Sequence, residues 1–152
     1  MNGSGMKRFS FRLDSILDYR RYLERKAQTN LVAARNEQML RKKAAESLVV
    51  RKRETAQACR AESLEGMDVP RYHIYKSFLL GLDQDLEKAH TGLREGENTI
   101  RAKEEVLKKK TVEKRVLEVL KDLQRRAHRL KAERAEQKNL DELVIMRKGG
   151  RA

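Results

Sequence analysis

A chain of 152 residues in which 39 % are charged, 5 % aromatic and none tryptophan is short of the large apolar side chains that fill a globular domain of this size. Cys59 is the single cysteine, which excludes an internal disulfide and with it a disulfide-stapled secreted fold. Runs such as Leu143-Val144-Ile145-Met146 fall far below the roughly 18 consecutive apolar residues of a membrane span, and no apolar signal-peptide core stands near the start. The expectation is a soluble, cytoplasmic protein carrying a formal charge of +13.

Residues 1–8 open with Met1-Asn2-Gly3-Ser4-Gly5, and they are read as a flexible N-terminal segment of the kind left by a tag. From Phe9 and Phe11 apolar residues begin to recur, and Ser10 or Asp14 can cap a first helix over about 10–65. Its stripe runs through Leu13, Ile16, Leu17, Leu23, Ala27, Leu31 and Ala34, then Ala44, Ala45 and Leu48; so much alanine marks close helix approach more than a deep core. The one strong break is Gly66-Met67-Asp68-Val69-Pro70, which holds the only proline. Proline is tolerated in a first helical turn, Gly66 can take a left-handed C-cap, and Asp68 can cap the second helix. A turn over 66–70 between two uninterrupted helices predicts an all-α, antiparallel coiled-coil hairpin spanning 9–148.

The second helix, about 70–146, has the cleaner heptad seam: Tyr72, Tyr75, Leu79, Leu82, Leu86, Ala89 and Leu93 in alternating steps of three and four, then Ile100 and Leu107. Beyond Leu107 the apolar frame slips by one residue, to Val106, Val116, Leu120, Leu123, Ala127 and Leu130, which predicts a local change of supercoil. Gly81, Gly92 and Gly96 suggest close packing or local flexibility. At 1.5 Å per residue the helices would span roughly 80 and 115 Å. Antiparallel partners should have numbers adding to about 135, so the end of helix two should overhang as a single helix, with 149–152 a flexible tail.

Charge is uneven along the chain. Residues 1–65 hold 15 basic and 8 acidic side chains, residues 66–100 hold 4 and 6, and residues 101–152 hold 17 and 9. The hairpin would gather Arg20, Arg21, Arg25 and Lys26 near Lys108, Lys109, Lys110, Lys114 and Arg115, a basic end suited to an acidic protein partner or simply a solvated helix surface. Catalytic chemistry finds little footing. His73, His90 and His128 are too far apart to share a helical face as ligands, no base is identifiable beside Cys59, and no phosphate-binding glycine loop is present. A non-enzyme without cofactor or metal is the reading.

Met6-Lys7-Arg8-Phe9-Ser10-Phe11-Arg12-Leu13-Asp14-Ser15-Ile16-Leu17-Asp18-Tyr19-Arg20, continued by Glu24, Ala27, Leu31 and Ala34, resembles the opening of the FliJ family of flagellar type III export proteins. Tyr72, Tyr75 and Phe78 with Leu82 resemble the aromatic start of that family's second helix. Gln137-Lys138-Asn139-Leu140-Asp141-Glu142-Leu143, then Met146-Arg147-Lys148, resembles its tail. The resemblance implies a coiled-coil stalk that binds the hexameric export ATPase, promotes its assembly, engages the cytoplasmic part of the large export-gate membrane protein and serves in recycling export chaperones. It would sit at the cytoplasmic face of the inner membrane through its partners. By the same resemblance Arg20, Arg21, Arg147 and Lys148 would face the ATPase ring, and Phe78 and Leu82, with Leu48 from helix one, the gate. Asp85 and Ala89, and helix one at Arg51, Arg53 and Glu54, depart from the family's gate-contact pattern.

Two other readings share the composition: the stalk of an injectisome, and a basic coiled-coil scaffold for nucleic acid. Aromatics to stack on bases are scarce and no nucleic-acid-binding module is present, which speaks against the second.

Overall fold

The computed structural model describes residues 7–151, so residues 1–6 of the expected N-terminal segment 1–8 lie outside the described residues. Helix α1 runs Asp14–Glu65 and α2 Val69–Gly149. Between them Gly66 has φ +100°, the left-handed value at which glycine carries no penalty, and Asp68 Oδ1 accepts the Arg71 amide at 3.3 Å as the N-cap of α2. Pro70 falls in the first turn, where its missing N–H costs nothing. The helices pack antiparallel as a two-helix hairpin. Cross-helix partners such as Lys52 with Asp83 and Asp14 with Lys121 have numbers that add to about 135. The chain divides into two contact units.

The unit Lys26–Lys108 contains the turn. Its covered positions on α2 are Tyr75, Leu79, Leu82, Leu86, Ala89, Leu93, Gly96, Ile100, Lys103 and Leu107, an unbroken heptad. Facing them are Ala27, Leu31, Ala34, Gln38, Ala45, Leu48, Lys52, Thr55, Cys59 and Glu62. Tyr72, expected to start the seam, is 41 % exposed instead. Next to the turn, Tyr75 Oη donates to Glu62 Oε1 at 2.7 Å and Arg71 grips the same carboxylate with two nitrogens, which holds the Glu62 carboxyl down to about 2. Of Gly81, Gly92 and Gly96 only the last is required by packing. A Cβ there would lie 1.9 Å from Gln38 Oε1, whereas nothing lies within 4 Å at Gly81 or Gly92. Gln38 is buried and donates from Nε2 to the Leu93 carbonyl at 2.8 Å, so its polar end occupies the space the glycine leaves open.

The second unit joins the described part of Met1–Arg25 to Lys109–Ala152. Its core is thin: Leu17 is fully buried and Phe11 nearly so, with Leu13, Leu23, Leu117 and Leu120 partly covered. The seam positions of α2 here are Lys110, Lys114, Leu117 and Lys121, which keep the three-and-four spacing of the residues before them. The expected slip of frame is therefore not present. Val112, Val116, Val119, Leu123 and Leu130 are 44–61 % exposed, on the side away from α1, and Val106 in the other unit is likewise exposed. Lysines take the inner positions because their long apolar stems cover the seam while the ammonium reaches an acid on α1: Lys114 meets Glu24 at 3.0 Å and Lys121 meets Asp14 at 2.7 Å.

Ahead of α1 the segment Lys7–Phe11 lies along α2. His128 Nε2 is 3.0 Å from the Lys7 carbonyl, the Phe9 ring packs 5.6 Å from the His128 ring, and the Arg125 guanidinium stands 5.8 Å over Phe9. Helix α2 then continues to Gly149 with every side chain from Glu133 onward exposed, the expected single-helix overhang.

Candidate protein-docking surfaces

The three residues expected to contact a gate protein separate by burial. Leu82 is 4 % exposed and belongs to the seam, Leu48 is half-buried, and Phe78 presents half of its surface. Phe78 lies one position ahead of the seam residue Leu79, which turns its ring toward the flank of the hairpin. There it lines a shallow groove of about 300 Å³ with Thr55, Arg71, Ile74 and Tyr75. Ile74, 69 % exposed, stands one turn before Phe78 on the same face. Sequence reasoning passed over Ile74 because it lies outside the heptad; its i, i+4 spacing to an off-seam phenylalanine was the available signal.

In the unit with the chain ends, the expected ring-facing cations divide as well. Arg20 Nη1 meets Glu113 Oε2 at 2.7 Å, and Arg21 pairs with Asp18 at 3.4 Å and Glu118 at 3.7 Å, so both guanidinium groups are committed to carboxylates. Arg147 and Lys148 occupy the last turn of α2, where cations complement the carbonyl end of the helix dipole, and form an open basic surface with Arg151 beside Val144. Leu140, Leu143, Val144, Ile145 and Met146 are all more than half exposed just before them. The terminus thus offers apolar contact followed by positive charge.

Glu24 is the most buried acid of this end. The Lys114 hydrogen bond, helped by one from Thr111, holds its carboxyl below the ordinary 4.5 despite the opposing effect of burial. Because the folded-state value is depressed, the stabilisation is complete above the unfolded value and is lost as pH falls through the folded one. Glu24→Gln is accordingly expected to flatten the acid limb of stability below about pH 4.5 and to cost about 1–2 kcal/mol near neutrality, where Lys114 loses its charged partner. Urea titrations followed by far-UV circular dichroism across that range would check it; an unchanged acid limb would contradict it.

Among the described residues no cluster of His, Cys, Asp or Glu could hold a metal, and no helix is long and apolar enough to cross a membrane. Cys59 is buried in the seam, with Ser63 Oγ donating to its carbonyl. What the surface offers is contact: an aromatic patch near the turn and a basic, partly apolar end. A family model described as "Flagellar FliJ protein" matches residues 9–152. Comparison with curated proteins and with solved structures finds no match.

Proposed function

Since the chain belongs to the FliJ family and is a component of flagellar type III protein export, we propose that it acts there as a coiled-coil stalk binding the hexameric export ATPase and the export gate. The observation that carries the reading is the family match over nearly the whole chain, joined to a helical hairpin with one exposed basic end. Arg147 and Lys148 supply the cations for an acidic wall of the ring, while Arg20 and Arg21 act through the ion pairs that hold α1 on α2. Near the turn, Phe78 makes the gate contact, and Leu82 and Leu48 form the packed frame beneath it. Release of empty export chaperones, and a place at the cytoplasmic face of the inner membrane through these partners, belong to the same reading.

Adding the purified chain to the export ATPase of the same organism tests this. Hexamer formation and turnover are expected to rise at sub-stoichiometric ratio, and Arg147→Ala with Lys148→Ala to weaken the stimulation while helicity is unchanged. No effect of the wild-type chain on either readout, with tight DNA or RNA binding that falls steeply with salt, would transfer the chain to the scaffold reading.

A further inference from the structure

An exposed apolar stripe runs along α2. Val112, Val116, Val119, Leu123 and Leu130 follow steps of four, three, four and seven, the spacing of a coiled-coil seam, yet they stand on the solvent side while lysines fill the seam against α1. A helix with nothing to bind on that side would gain by carrying polar residues there. We propose that this stripe docks an acidic amphipathic helix of another protein as a third helix of the bundle, at a place separate from Arg147 and Lys148.

Charge selects the occupant. Residues 1–25 and 109–152 together hold 20 basic and 10 acidic side chains. All three acids within Lys109–Lys131 are already paired: Glu113 with Arg20, Glu118 with Arg21, and Asp122 with Arg126. Lys109, Arg129 and Lys131 in the same stretch have no partner among the described residues. A second copy would set this excess against itself, whereas a helix with Asp and Glu flanking its apolar seam would complement it. A lipid surface fits less well. The stripe is narrow and built of valine and leucine, without the broad apolar face and aromatic residues of helices that lie in a membrane interface.

The test uses the full chain and a fluorescent synthetic peptide of about four heptads, with Ile and Leu at a and d and Glu at e and g; a second peptide carries Lys at e and g. Saturable binding of the Glu peptide is expected, weakened by salt and at least about tenfold by Val116→Gln with Val119→Gln. Both positions are exposed, so far-UV circular dichroism of the variant should match the wild type. Any of four results would overturn the inference: no binding of the Glu peptide, equal binding of the Lys peptide, undiminished binding by the double variant, or a self-associating wild-type chain that the double variant returns to monomer. Preferential binding to phosphatidylglycerol vesicles, lost in the double variant, would equally assign the stripe to lipid and overturn it. No ATPase enters the experiment, so its failure is distinguishable from failure of the stalk reading.

Discussion

Leu17→Ala is expected to be among the most destabilising single truncations in the unit that holds the chain ends, costing about 2–3 kcal/mol. Among the described residues Leu17 is the one large side chain with no exposed surface, and it sits where the unit has little to replace it: the seam of α2 offers a single leucine there, Leu117, between the ion-paired Lys114 and Lys121. Truncation removes apolar contact and also part of the cover beside which Lys114 reaches Glu24. The lower part of the usual range applies because two helices can close on a cavity more readily than a deep core can. Ile16→Ala is the control. The Ile16 side chain is 45 % exposed, so its loss should stay within about 0.5 kcal/mol. Urea unfolding by far-UV circular dichroism separates them, and equal losses for the two variants would show that the end is held by its ion pairs alone.

The hairpin itself was legible because its signals are local. Proline, glycine and a capping aspartate within five residues leave few alternatives to a turn, and Gly66 and Asp68 take the roles their chemistry suits. The heptad through Leu79, Leu82, Leu86, Ala89 and Leu93 was legible for the same reason, since apolar periodicity and packing coincide there. They part company after Leu107. Sequence reasoning follows hydrophobicity, and Val116, Leu120 and Leu123 are more hydrophobic than the lysines at 110, 114 and 121; hence the expected slip. The structure keeps the lysines on the seam instead, because acids at Asp14 and Glu24 on α1 pair with Lys121 and Lys114 and make lysine acceptable there. Which cations are open was illegible for a related reason. Arg20 and Arg21 differ from Arg147 and Lys148 mainly in having carboxylates ninety or so residues away in sequence, brought beside them by the fold, with Asp18 a local partner for Arg21.

The contrast between Leu82→Ala and Phe78→Ala should divide structure from docking in the turn-proximal unit. Leu82 is buried at 4 % exposure between α1 and α2, so its truncation is expected to cost about 2–3 kcal/mol, and any loss of gate binding it causes should follow the loss of folded hairpin. Phe78 keeps half its surface in solvent beside Ile74, so Phe78→Ala is expected to leave helicity nearly unchanged and to cost about 1 kcal/mol or less in stability. Its effect should instead appear in association with the cytoplasmic part of the gate protein, weakened about tenfold if the ring is an anchoring contact. Thermal melts and binding isotherms on the two variants give four numbers, and the pattern matters more than any one. A large loss of thermal stability in Phe78→Ala with binding intact would return this ring to a packing role and leave the flank near the turn without its anchor.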